Sequence, residues 1–207
     1  MNKKSIVIAA ILLVVALGVN CFVAAGSKEA KMSDKNLQVV TAPDQKEAME
    51  NEQFTIAEYV PEKIDGTNVA RKGHCEANGY TDVYPATYAN DGTAEGTSYW
   101  EGPANQEAIL TCDLKESFNI HTIRLAINPA AIWAKRTQTL SISVSDDGEN
   151  FKEIVPSADY KFDPNTGNEV VIHIDEIKAK YVRLNITKNS GATSGQIGEF
   201  EVYSNDK

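Results

Sequence analysis

The sequence predicts an all-β fold, an antiparallel sandwich or barrel. Three observations carry the prediction. From residue 107 onward apolar and polar residues alternate in the runs "AILTCDL", "HTIRLAI", "TLSISVS", "EVVIHI" and "YVRLNI". Successive strand side chains point to opposite faces, so this period marks strands with one buried face. Turn-rich segments separate the runs: "DDGEN", "DPNTGN" and "NSGATSG". After residue 60 nothing repeats at the helical period.

The elements follow in chain order. Lys3 and Lys4 precede an apolar run from Ile6 to Val19, and "CFVAAG" follows Asn20. A basic start, a short apolar centre and small residues at the cleavage point describe a secretory signal peptide over residues 1–25. Val23 and Ala25 place the cut before Gly26. An uncleaved membrane anchor is the alternative, because the apolar run is borderline in length for a span. A lipid-modified Cys21 is a third reading, weakened by Asn20 at a position where a small residue is usual.

Residues 26–63 read as a polar, largely disordered linker. Ser27 to about Gln53 is rich in Lys, Glu, Asp, Gln and Asn, with one apolar break, "LQVV". Such a segment buries too little apolar surface to offset its ordering entropy. Residues 64–207 form the domain, long enough to bury a core. Its apolar faces are Leu110, Cys112 and Leu114, then Ile123, Leu125 and Ile127. Leu140, Ile142 and Val144 follow, then Val170, Ile172 and Ile174, and last Val182, Leu184 and Ile186.

The formal net charge of −9, with no basic run outside the signal, argues against nucleic acid and anionic membranes as partners. Direct lipid insertion is also disfavoured, since no loop pairs exposed aliphatics with basic residues. Cys75 and Cys112 would both enter an oxidising compartment. They read either as a disulfide or as two buried thiols on neighbouring strands. No catalytic constellation stands out: His74, His121 and His173 are scattered, and there is no phosphate loop, nucleophile elbow or zinc spacing. The chain does not read as an enzyme.

The residues then match a family. "SVSDDGENF", "YVRLNIT" and "GEFEVYS" resemble the ending of discoidin domains, also called coagulation-factor type C domains. Upstream, "NVARKGHCEANG" resembles the first strand, "YPATYANDG…TSYWEG" the first long loop, and "LTCDL" the strand after it. The resemblance covers roughly residues 64 to 205. "NPAAIWAKRTQTLSISVSDDG" is similar to the discoidin-type modules of bacterial polysaccharide-degrading enzymes. The fold implied is a jelly-roll-like, galactose-binding-like β-sandwich.

The resemblance implies a structural Ca2+ ion. By position Asp91 and Glu199 supply carboxylates, and Ser98 stands where the family often has Thr. The carbonyls of Tyr88, Thr93 and Gly198 would complete a shell of the six to eight oxygens calcium takes. The loop from Asp91 to Trp100 is about two residues longer than the family's, so Thr97 could stand in for Ser98. The resemblance also implies a sugar site on the loop face. Trp133, flanked by Ala130, Ala131 and Ala134, is the expected stacking platform. Arg136 is its polar partner, and Glu101, Trp100 and Gln196 are further candidates. Trp100 also reads as core, since the family keeps an aromatic there for packing.

The function implied is an exported, non-catalytic carbohydrate-binding protein with a polysaccharide or other glycan as partner, outside a bacterial cell. It is secreted, or tethered to the membrane by an uncleaved N-terminus. The alternative is a protein-interaction or scaffold module that meets cell-surface proteins and has no sugar site.

Overall fold

The structure, a computed structural model, describes residues 52–206. The signal-peptide reading and most of the linker lie outside the described residues. Among the described residues nine strands appear in chain order: β1 Thr67–Asn68, β2 His74–Ala77, β3 Trp100–Glu101, β4 Ala108–Ala126, β5 Arg136–Ser145, β6 Lys152–Phe162, β7 Glu169–Asn189, β8 Gln196–Ile197 and β9 Glu199–Ser204. Helical structure among the described residues is limited to short 3-10 turns, and none is long or apolar enough to cross a membrane.

Every strand pairing is antiparallel, as the alternation predicts. One sheet runs β1-β9-β4-β7-β5-β6 with β2 on β4, and a small second sheet pairs β3 with β8. The two longest strands make the sandwich. Residues 108–113 of β4 pair with 181–186 of β7, and residues 118–126 with 169–179. Register shifts separate these blocks. Bulges bend strands and raise their twist, so the long sheet folds over into two layers. One layer holds β2, β5 and β6, and the other holds β1 and β9. The runs "AILTCDL" and "HTIRLAI" are therefore one strand, and so are "EVVIHI" and "YVRLNI".

Four of the five predicted inward faces fill the gap between layers, while Val170, Ile172 and Ile174 are only partly buried, Ile172 and Ile174 opening onto a groove between β6 and β7. Leu110, Cys112, Ile123, Leu125, Leu140, Ile142, Val182 and Leu184 are all fully buried, with Phe200 and Val202 from β9 opposite. Each fully buried aliphatic or Phe side chain contributes about 1.5–3 kcal/mol before entropy is charged. Cys75 sits opposite Cys112 in the β2–β4 register, and both are buried free thiols that face each other in direct contact across the pair. That contact, reinforced by burial, pushes the Cys75 thiol well above its ordinary range.

Residues 52–63, placed in the spacer by composition, run along the domain. The Thr55 carbonyl accepts from Ala131 N–H at 2.9 Å, and Ile56 pairs with Ala130. The Tyr59 ring lies against Gly167, where a Cβ would come within 2.4 Å of it, and its hydroxyl donates to Glu169 at 2.5 Å. Glu62 meets His173 at 2.9 Å. His173 and His121 both contact the Thr122 hydroxyl, so these histidines serve the sheet surface.

Candidate functional site

Two clusters form at the end of the sandwich where β3 and β8 meet, and both draw on the first long loop. The first cluster is acidic. A 3-10 turn, Ala86–Asn90, delivers Asp91, with the Tyr88 N–H spent on Pro85. Arg71 donates to the Asn90 carbonyl at 3.0 Å, and the Asn90 amide donates to the Ala70 carbonyl at 2.8 Å. These bonds fix the loop's start. Gly92, at φ +95, donates its N–H to Glu199 Oε1 at 2.5 Å. Thr93 N–H donates to Asp91, as does the Ser98 hydroxyl. Ser98, rather than Thr97, therefore reaches the Asp91 carboxylate. Gly198 lies under Ala94, and a Cβ there would come within 2.9 Å of the Ala94 Cβ.

These bonds bring Asp91 and Ser98 of the first loop up to Glu199, with Gly92 and Glu199 107 residues apart in sequence. Tyr88 lies one turn upstream on the element that feeds it. Glu199 is 4% exposed, and its Oε2 has no hydrogen-bond partner among the described residues. Burial pushes its carboxyl up to about 7, and the neighbouring Glu201 and Asp91 carboxylates push the same way. Two meeting carboxylates with one buried oxygen unpaired fit a hard cation that takes oxygen ligands.

The second cluster is aromatic. A 3-10 turn, Ala131–Trp133, precedes β5, and Ala134 follows it at φ 47. A non-glycine residue in that region costs of order 1 kcal/mol and marks a held conformation. Asn128 holds the loop from below. It accepts from Ala130 N–H and donates to the Gly96 carbonyl, both at 2.8 Å, so the two clusters share a support. Tyr99 meets the Trp133 ring edge-on at 4.7 Å, and Tyr84 stacks on Tyr99 at 4.2 Å. The Arg136 guanidinium lies over Trp133, 4.8 Å from the ring centre. Arg136 also donates to the Trp133 carbonyl and to Gln196 Oε1. Burial draws the Arg136 pKa down, opposed by the Glu101 carboxylate. Gly191 faces the guanidinium, where a Cβ would come within 2.8 Å of Nε.

Tyr99, Ile132, Trp133, Arg136, Gly191 and Gln196 line an open concavity of about 270 Å³. Of the sequence candidates, Trp133, Arg136 and Gln196 come together there, with Glu101 behind Gln196. Trp133 is half-buried and packs against the core, so the small neighbours do not leave its ring uncovered. Trp100 is a correction. It is fully buried and its indole N–H donates to the Gly79 carbonyl at 3.0 Å, so it offers a ligand no face. Tyr99 was missed. Strand parity was the available signal: in "SYWEG" the residues beside an inward Trp100 point outward, which sends Tyr99 and Glu101 to the site. A larger groove of about 660 Å³ between β6 and β7 is lined by aliphatics such as Ile154, Ile172 and Ile174 and has no Trp, Tyr or Phe.

The family model for the F5/8 type C domain matches residues 69–200. The chain belongs to the F5/8 type C family. Solved structures share the domain's fold. CpGH89CBM32-5 from Clostridium perfringens, in complex with GalNAc-β-1,3-galactose, is 18% identical with a TM-score of 0.58, covering 67% of this chain and 100% of its own. The family 32 module of C. perfringens NanJ, in complex with galactose, is 16% identical with a TM-score of 0.56 over 68% of this chain and 100% of its own. The CBM32 of AlyQ, in complex with 4,5-unsaturated mannuronic acid, is 19% identical with a TM-score of 0.53, covering 68% and 98%. At these identities the likeness is one of fold, and this F5/8 type C domain is an antiparallel β-sandwich.

Proposed function

We propose that the chain is an exported, non-catalytic carbohydrate-binding protein whose site is the concavity over Trp133. The observation that carries this reading is the Trp133–Arg136 pair. The exposed part of a half-buried ring, edged by Tyr99 and with one face taken by a fixed guanidinium, offers apolar contact beside planar polar groups. The relatives of like fold solved with GalNAc-β-1,3-galactose, with galactose and with an unsaturated mannuronic acid support a glycan as the ligand class. One ring and one cation support weak binding, on the order of 0.1–1 mM for one sugar unit. Repetition along a polymer or many copies on a surface would raise the retention.

Asp91 and Glu199, with Ser98 and the carbonyls of Tyr88, Thr93 and Gly198, would hold a calcium ion. Its chemistry here would be structural: neutralising the buried Glu199 carboxylate and the part-buried Asp91 carboxylate, and pinning the first loop to β9. The acidic net charge of −9 supports a partner that is neither nucleic acid nor an anionic surface. The basic start and apolar run of the N-terminus support export, with the domain outside the cell. A glycan array followed by polysaccharide affinity electrophoresis tests the reading. Retention by a polysaccharide that Trp133→Ala abolishes is the expected result. Retention unchanged in a folded Trp133→Ala protein moves the site elsewhere. Binding to cell-surface proteins and to no glycan favours a scaffold module.

A further inference from the structure

The segment before the family domain reaches the rim of the concavity. Ile56 pairs with Ala130 in antiparallel register, and Thr55 accepts from Ala131 N–H. The 3-10 turn Glu52–Phe54 lies against the 3-10 turn Ala131–Trp133, whose Ile132 lines the concavity. Phe54 is 59% exposed, and Ile132 and Ile56 are each 49% exposed. Phe54 and Ile56 on one segment and Ile132 on the other are exposed apolar side chains of two touching segments, an apolar ledge beside Trp133. The ledge is held: Tyr59 seats its ring on Gly167 and its hydroxyl on Glu169. An ordered, exposed apolar patch continuous with a binding concavity marks more of the same surface.

We propose that Phe54 and Ile132 form a second subsite, so that the protein takes a glycan chain rather than a single terminal sugar. This rests on the carbohydrate-binding reading above. A concavity of about 270 Å³ is small for anything beyond one ring or so. The next unit of a chain leaving it toward Ile132 meets Phe54, whose face is free to stack on sugar C–H groups. A lipid surface is the weaker occupant, because the charges here do not suit one. Lys135 is paired to Asp163 at 2.7 Å, Arg136 is held by Gln196 and the Trp133 carbonyl, and Glu52 adds a negative charge on the turn that bears Phe54.

The test compares monomer with oligomer. Galactose and a β-1,4-galactan tetramer, glucosamine and a chitosan tetramer, and galacturonic acid and its tetramer are titrated against the whole chain and Phe54→Ala. Phosphatidylserine vesicles form a further arm. Phe54 is exposed, so the variant folds. The expected result is a tetramer bound about 3- to 10-fold more tightly than its monomer, the gain that one aromatic contact supplies. That gain vanishes in Phe54→Ala while the monomer affinity holds. No gain with length, or a gain that survives Phe54→Ala, overturns the subsite and leaves the Trp133 site standing. Vesicle binding that Phe54→Ala removes assigns the ledge to a membrane and overturns it too. If no sugar binds at all, the parent reading fails and takes this one with it.

Discussion

The Gln196 side-chain amide donates to the Glu101 carboxylate at 2.8 Å, across the register pair that joins β3 to β8. The same side chain accepts from Arg136 through its carbonyl oxygen. Gln196 therefore links an anion to a cation and holds the guanidinium over Trp133. Its backbone is fixed separately, by two bonds of 2.9 Å to the buried Gln138 side chain. Gln196→Leu is expected to release Arg136 and reduce polysaccharide retention about tenfold, the scale of one hydrogen bond to a charged group. The melting point should move by only a few degrees. Affinity electrophoresis beside a thermal melt checks both, and full retention in the folded variant denies Gln196 its positioning role.

Trp133→Ala is expected to cost stability as well as binding. The ring is half-buried against the core and shares its edge with Tyr99. Truncation should cost about 2 kcal/mol, below the ~3–5 kcal/mol of a fully buried Trp. Denaturant unfolding gives this number, and an unchanged midpoint would show the ring to be free.

Calcium is expected to raise the melting point. Ligand linkage gives RT ln(1 + [L]/Kd), about 2.7 kcal/mol at a hundredfold excess over Kd. Melting in EGTA and then in millimolar calcium measures the shift, and Asp91→Asn should remove it. Identical midpoints, with no calcium in the purified protein, would falsify the ion.

Without calcium, stability should fall as pH rises from about 4.5 to about 7. Glu199 has its folded pKa raised from 4.5 to about 7 by burial. Below 4.5 both states are protonated and this contribution is fully present. Between the two values the unfolded chain loses the proton first, so the folded state is progressively disfavoured. Above about 7 both are ionised and the slope ends. Glu199→Gln should flatten this fall in EGTA melts at several pH values, and a slope equal to wild type would assign it to other groups.

Cys75 and Cys112 are expected to be bonded in protein recovered from outside a cell. Directly opposed residues on antiparallel strands have Cα atoms about 4.5–5.5 Å apart, inside the ~4.4–6.8 Å a disulfide spans. The bond would close a loop of 36 residues (112 − 75 − 1), worth roughly 3–4 kcal/mol on the chain-entropy view. Thiol titration in denaturant should find none before reduction, and two would show the pair to be reduced.

Strands with one wet face were legible, and others were not. β6 was missed because "KEIVPSADYKF" carries few apolar residues and a proline. It pairs only with β5, as an edge strand, and Pro156 falls at its register shift between Val155 and Ala158. The unity of β4 was hidden because Lys115, at φ 73, and the shift before Phe118 break the alternation while pairing to β7 resumes. At the site, single residues such as Trp133 and Arg136 could be named from sequence. Their partners are harder: Tyr99 follows only once strand parity is applied to "SYWEG", and Phe54 depends on a bridge across 74 residues (130 − 56) that no local pattern signals.

That bridge also decides where tension enters the domain. Whatever pulls on the chain at Glu52 acts beside the glycan it would be resisting, through the Ile56–Ala130 pairing and the Tyr59 hydroxyl behind it. The force line runs along the rim, from Phe54 to the turn bearing Trp133, and reaches the sheet only at Glu169, the first residue of β7. Under a rising pull the rim should peel while the sandwich stays intact. Because the peeling strip adjoins the turn proposed to hold the sugar, the hold would slip before the fold gave way, a mechanical fuse set at the surface.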